Sequence, residues 1–353
     1  MSFLTIKDIA RLAQVSHTTV SRVLNNKPGV RQATKDRILN LVRELNYQPN
    51  LVARSLVMKR SRTLGMVITS IRNPFYLELA QGIEHTARSL GYSVFLCCTN
   101  FDLSREEEHV KELRRKGVDG IILSSAHVKD PYVAALVEEG FPLVLVNRRI
   151  VEPDLSGKMD YIGVDNVRGA EMAVEHLLQM GRYPIGIITG IKESSVTLER
   201  LEGVRTALEK HGLAVDDSFF FEGDYLKGSG YEGARYFLSR TDPPNAIFAF
   251  NDYMALGVYD ALLKRKVKVP EDISVIGFND IEFASSDMVS LSTISQKKHV
   301  LGSMAVRRLI DRIEGAAPGM QQILEPELIV RRSSDYVVRE PDIQSYQRSR
   351  RGE

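Results

Sequence analysis

From about Thr63 onward short apolar runs alternate with amphipathic helical stretches, and this order leaves few folds open. TLGMVIT is followed by a helix through Gly82 to Leu90, then YSVFLCC, a charged helix, VDGIILSS, another helix and FPLVLVN. That succession is the signature of a parallel sheet covered by helices on both faces. The order then repeats as YPIGIITG, a helix, the extended FFFEGD, a helix, NAIFAFND, the helix MALGVYDALLKRK and DISVIGFND. GIEHTARSLG (Gly82 to Gly91) and GVRTALEKHG (Gly203 to Gly212) have the same length and both end on glycine. Each begins about 14 or 15 residues after Ile68 or Ile188 of the preceding strand. The expected body is therefore α/β, two doubly wound lobes facing each other across a cleft.

Open α/β sheets bind ligands beyond the carboxyl ends of their strands. The residues that follow the strands are Asn73, Phe75 and Tyr76, then Ser124, then Asn147 with Arg148 in the first half. The second half offers Asn251 with Asp252, Asn279 with Asp280, Tyr225 after FFFEGD, and Arg200 on the loop expected to enter the Gly203 helix. Amides, carboxylates, arginine and aromatic rings together suit a small polar molecule with hydroxyls to bond and an apolar face to stack, such as a sugar. Singly, a strand-end Asn or Asp is as often a turn former.

Residues 1–62 differ in kind. They hold twelve Lys or Arg against Asp8, Asp36 and Glu44, a net +9; with +2 for the whole chain, the rest carries −7. A basic head on an acidic body points to a polyanionic partner for the head alone. Thr5 and Asp8 form a capping-box start, with Ile6, Ile9, Leu12 and Ala13 at helical spacing. After the break Gln14, Val15, Ser16, the Ser16 hydroxyl can cap a second helix from His17 to about Asn25. A third helix carries Ile38, Leu41, Val42 and Leu45 on one stripe. This is a helix-turn-helix, whose second helix lies in the major groove of double-stranded DNA. His17, Thr18, Ser21 and Arg22 are the candidates for base edges, and Arg22 is the one side chain there suited to bidentate contact with guanine. Ser16, Thr19 and Thr34 suit phosphates; Thr5 and Asn25 complete the DNA-contacting set.

TIKDIARLAQVSHTTVSRVLN, VRQATKDRILNLVRELNYQPN and LVARSLV resemble the head of the LacI/GalR family of bacterial repressors. The resemblance implies a hinge after NYQPN that becomes helical on operator DNA and drives a leucine into the minor groove. Asn50, Ala53 and Leu56 occupy the matching positions. It continues through SRTLGMVIT, NPFYLELAQGIE, KGVDGIIL, VGVDNVRGAEMAVEHLLQMG, RLEGVRTAL, NDYMALGVYDAL, VPEDISVIGFNDIEF and LEPELIVRRS. It implies lobes of periplasmic-binding-protein type, Arg200 as the effector-clamping arginine and Tyr225 as an aromatic residue near the pocket. The expected organisation is a DNA-binding domain over 1–48, a hinge over 49–62 and a two-lobed effector and dimerisation domain over 63–338. Lobe 1 would take 63–164 and 293–326, lobe 2 165–292 and 327–338, and a disordered tail 339–353. The family's GFDD is here Gly277, Phe278, Asn279, Asp280, which exchanges a charge for a donor; Asn147, Arg148 and Arg149 add local positive charge that would favour an acidic or phosphorylated ligand.

Together these features predict a repressor that acts as a homodimer on a near-palindromic operator, with a carbohydrate-class effector in the cleft. The alternatives are a solute-binding protein without gene regulation, or a regulator answering to a purine or a protein partner. Neither the sign of the effector's action nor its identity follows from sequence. Catalysis, a metal and a cofactor are not expected, since no P-loop, zinc spacing or nucleophile elbow is present. Cys97 and Cys98, adjacent within one apolar run, read as small buried hydrophobes. With neither a secretory start nor a run of roughly 18 apolar residues, a cytoplasmic, membrane-free protein is expected.

Overall fold

The computed structural model describes residues 4–24, 27–47, 60–155 and 157–336. Asn25, Asn50, Ala53, Leu56, most of the expected hinge and the tail over 339–353 lie outside them. The chain divides into two compact units that meet between Arg62 and Thr63.

The first unit holds α1 (Ile6–Leu12), α2 (His17–Leu24) and α3 (Gln32–Glu44). The Thr5 and Asp8 side chains cap each other's backbone N–H at the start of α1. Gln14, at φ +50°, turns the chain, and Ser16 Oγ accepts from Thr19 N at 3.2 Å to start α2. Ile9, Ala10, Ala13, Val20, Val23, Ile38 and Tyr47 close a core of their own.

The second unit runs β1 (Thr63–Ile68), α4 (Pro74–Ser89), β2 (Ser93–Cys98), α5 (Leu103–Arg115), β3 (Gly120–Leu123), α6 (Pro131–Glu139), β4 (Leu143–Val146) and β5 (Tyr161–Val164). It continues with α7 (Asn166–Gln179), β6 (Ile185–Ile188), α8 (Ser195–Lys210), β7 (Phe220–Phe221), α9 (Lys227–Leu238), β8 (Ala246–Ala249), α10 (Asp252–Lys264) and β9 (Ser274–Ile276). The last elements are β10 (Thr293–Ser295), α11 (Lys298–Ile313), β11 (Gln321–Leu324) and β12 (Glu327–Ile329). Lobe 1 is a parallel sheet in the order β2-β1-β3-β4-β5-β11; lobe 2 is a parallel sheet in the order β7-β6-β8-β9. Both orders reverse beside the first strand of the lobe, where doubly wound sheets open their ligand crevice.

Burial follows the two-residue period of a strand. Leu64, Met66 and Ile68 of β1 join the core shared with α4 and α11, while Val67 faces the separate core of α5 and α6. The two matched glycines serve helix crossings: a Cβ on Gly82 would come within 2.9 Å of His299 backbone in α11, and one on Gly203 would overlap the Val167 carbonyl in α7.

Several expectations need correction. Arg200 sits inside α8, not on a loop, because the helix begins at Ser195; buried Ser195, Val196 and Thr197 outweigh the poor helix propensity of that turn. The helix expected from Gly82 already starts at Pro74, capped by Asn73. Of FFFEGD only Phe220 and Phe221 form strand. Cys97 and Cys98 are half-buried, because β2 is an edge strand. β10 pairs antiparallel with β12, and Ser292 just before it and Ser295 at its end bridge to Ile276 and Asn279 of lobe 2. The crossing back to lobe 1 thus follows Ser295 instead of preceding Thr293.

Candidate functional site

On the head, α2 turns Val20 and Val23 inward. Ser16, His17, Thr18 and Arg22 are exposed, and Thr19 and Ser21 half-buried. The Ser16 hydroxyl lies 2.7 Å from Thr18 Oγ1 and 2.8 Å from Thr19 Oγ1, a knot of three hydroxyls at the helix start. Thr34 is half-buried in the first turn of α3, and Thr5 is exposed at the cap of α1. A helix N-terminus carrying hydroxyls and exposed basic groups suits an anionic duplex.

In the body, a cleft of about 250 Å³, counting its space open to solvent, gathers Asn73, Phe75, Tyr76, Asn147 and Arg148 from lobe 1 and Arg200, Tyr225, Asn251 and Asn279 from lobe 2. Val196 joins them; an apolar residue in a turn read as loop gave no signal in the sequence. Asn73 and Asn251 are also helix caps, their Oδ1 atoms accepting from Phe75 N at 3.1 Å and Met254 N at 2.8 Å. Phe75 and Tyr76 pack edge to face, with ring centroids 5.1 Å apart. Asn147, Tyr225 and Asn279 all have positive φ, at +66°, +66° and +123°. Such backbone is costly for a side-chain-bearing residue and gathers at ligand sites.

Arg200 is fully enclosed. Its Nε donates to Asn166 Oδ1 at 3.0 Å, its Nη1 donates to the Phe250 carbonyl, and its guanidinium lies 3.5 Å from the Phe278 ring centroid. Burial lowers its pKa to about 10, so it remains a cation at neutral pH. Asn166 is itself held by Glu199 Oε2 at 2.7 Å, and Glu199 Oε1 accepts from Arg149 Nη2 at 2.8 Å and Nε at 3.1 Å. A polar chain thus runs from lobe 1, at Arg149, to the arginine at the cleft's centre. The Tyr225 hydroxyl meets Thr197 Oγ1 at 2.6 Å, and Asn279 Oδ1 accepts from Gln296 Nε2 at 2.5 Å. Thr197, Glu199, Asn166 and Gln296 were missed in the sequence because they act on other side chains rather than lining the cleft.

Three expected residues do not line the cleft. Ser124 is buried, its N–H donating to the Val67 carbonyl. Asp252 is wholly buried, its carboxylate accepting from Ile281 N and Thr293 Oγ1, and burial pushes its carboxyl up to about 6. Asp280 pairs with Arg331 at 2.7 Å. Each carboxylate is consumed inside lobe 2. Among the described residues no group of three or more His, Cys, Asp or Glu could hold a metal ion, and no helix is long and apolar enough to cross a membrane.

Residues 5–50 match the family of bacterial regulatory proteins of lacI type. Residues 61–329 match the periplasmic binding proteins and sugar binding domain of the LacI family. The chain is 37% identical over 330 residues to the ribose operon repressor of Escherichia coli strain K12, covering 94% of this chain and 99% of that one. It is 36% identical over 331 residues to the HTH-type transcriptional repressor PurR of Aliivibrio salmonicida, covering 93% and 98%. The lac repressor dimer bound to operator and the anti-inducer ONPF superposes with a TM-score of 0.83 at 27% identity, covering 94% and 99%. With a helix-turn-helix head and a two-lobed body that gathers polar residues into one cleft, the chain belongs to the LacI family and is a DNA-binding transcription regulator governed by a small effector.

Proposed function

We infer that the protein is a cytoplasmic homodimeric repressor, that α2 reads operator bases through Arg22 and its hydroxyl neighbours, and that the cleft takes a carbohydrate-class effector. The observation that carries this reading is the convergence of side chains from both lobes on one small polar cleft, with Phe75, Tyr76 and Tyr225 supplying ring faces. A ligand bonded to both lobes favours their closed arrangement over any open one by its differential affinity. Exposed Phe95 and Leu96 on edge strand β2 support an apolar contact between two copies. Arginines, amides and phenols in the cleft support recognition of a polar ligand.

Selection of bound duplexes from a random DNA library tests the first half. A near-palindromic site, bound with 2:1 protein to duplex stoichiometry, is expected; sequence-independent binding would remove the repressor reading. Thermal unfolding across monosaccharides, disaccharides, sugar acids, sugar phosphates, nucleosides and purines tests the second, since a ligand at 100 times its Kd adds about 2.7 kcal/mol. Stabilisation by a purine and by no sugar would overturn the carbohydrate class.

A further inference from the structure

The cleft lining has four asparagines and two arginines and neither Asp nor Glu. Sugar hydroxyls are donors as well as acceptors, and a neutral sugar is served by a mixture of carboxylates and amides. Here the formal charge of the lining is positive, and the surrounding carboxylates are engaged elsewhere. Glu199 is held by Arg149 and Asn166, Asp252 by Ile281 and Thr293, and Asp280 by Arg331.

Arg148 is the informative residue. It follows β4, is only 2% exposed, and its guanidinium lies 5.8 Å from the Phe101 ring centroid and 5.3 Å from that of Tyr225. Its Nη1 is buried with no hydrogen-bond partner. The neighbouring Asn147 Oδ1 is likewise unpartnered. Glu106, the buried acid close enough to Arg148 to feel its charge, accepts from Ser125 Oγ, and burial beside Asp130 lifts its carboxyl far above the usual range. Neither Glu106 nor Asp130 is hydrogen-bonded to the Arg148 guanidinium: Glu106 accepts from Ser125 and Asp130 from Val133 N. A desolvated guanidinium with an unsatisfied donor, facing a cleft, is the setting in which an oxyanion binds most strongly.

We propose that the effector carries a compact oxyanion, a carboxylate or a phosphate, that seats on Arg148 while its hydroxylated body meets the amides and Arg200. The ligand is then a sugar acid or sugar phosphate in place of a neutral sugar. This rests on the reading that the cleft takes a carbohydrate-class effector.

The test uses the full chain and thermal unfolding at matched ionic strength, with glucose, gluconate and glucose 6-phosphate, ribose and ribose 5-phosphate, galactose and galacturonate, and inorganic phosphate. The wild type, Arg148→Met and Arg148→Lys are compared. At least one anionic probe is expected to stabilise the wild type at a concentration at least about tenfold below that needed by its neutral counterpart, a gap of about 1.4 kcal/mol. Arg148→Met should erase that preference, Arg148→Lys should retain part of it, and ligand-free Arg148→Met should unfold at a higher temperature than the wild type. Preference for a carboxylate over a phosphate, or the reverse, assigns the source of the oxyanion. A neutral sugar that binds as well as its anionic partner overturns the proposal, as does an anion effect unchanged in Arg148→Met. The same holds if no anion stabilises the wild type, inorganic phosphate included. Operator selection without ligand is scored separately, so its failure removes the regulator reading and leaves these results to speak for the cleft.

Discussion

The bond between Arg149 and Glu199 joins the two lobes beside the Val128–Glu193, Arg149–Ser195 and Glu282–Glu78 contacts, so removing it measures its share of what holds them together. Arg149 donates twice to one carboxylate oxygen, with the side chains 33% and 17% exposed. A fully exposed pair contributes about 0 to 1 kcal/mol and a hydrogen bond to a charged group about 1.5 to 3, so this partly screened pair is expected at about 1 to 2 kcal/mol. Glu199 also holds Asn166, which holds Arg200. Arg149→Ala should thus cost about 1 to 2 kcal/mol and Glu199→Ala about 2 to 3, the extra reflecting the released amide. The double variant should cost no more than Glu199→Ala alone. Urea denaturation followed by far-ultraviolet circular dichroism suits a chain without tryptophan. Single-variant losses that add to within about 0.5 kcal/mol in the double variant would show that the pair carries no coupling, and the argument for a clasp would fail.

Asp252 predicts a pH effect. Its folded-state pKa, raised to about 6, lies above its unfolded value, so stability falls as pH rises from about 4 through 6, by about 3 kcal/mol. Asp252→Asn should lack that contribution and be the more stable protein at pH 7; parallel profiles for the two proteins between pH 4 and 7 would contradict it. Gly203→Ala should cost about 1 to 3 kcal/mol, because its methyl would overlap the Val167 carbonyl. Gly228→Ala, with nothing within 4 Å, should instead be neutral or stabilising in the same melting experiment. Arg22→Ala should weaken specific operator binding by about 1 to 3 kcal/mol and leave ligand binding unchanged; retained preference at every operator base would remove Arg22 from readout.

Legibility in the sequence followed the range of the governing interactions. The β1 and β4 strands are buried on both faces, so their apolar runs announce them. The capping box at Thr5 and Asp8 is a contact three residues apart and is equally plain. Asn73 and Asn251 could be placed at the cleft because parallel strands all end on one side, though sequence did not tell that each also caps a helix. Asp252 and Asp280 were misassigned for a different reason. Position after a strand fixes where a Cα lies, while the direction of the carboxylate depends on Thr293 and Arg331, 41 and 51 residues away. The start of α8 was illegible because its first turn is held by distant partners, Ser195 Oγ accepting from Arg149 N and Thr197 meeting Tyr225, and serine, valine and threonine give no local sign of it.

The chain passes between the lobes three times, after β5, after β10 and after β11. Neither lobe is a continuous stretch of polypeptide. During synthesis, lobe 1 lacks its α11 layer until Ile313 has emerged and its edge strand β11 until Leu324, and lobe 2 lacks β12 until Ile329. Both are completed within the last few residues of the described body. A nascent chain therefore holds its head long before it holds a finished cleft, and any premature stop before β11 leaves a DNA-reading segment attached to two unfinished lobes.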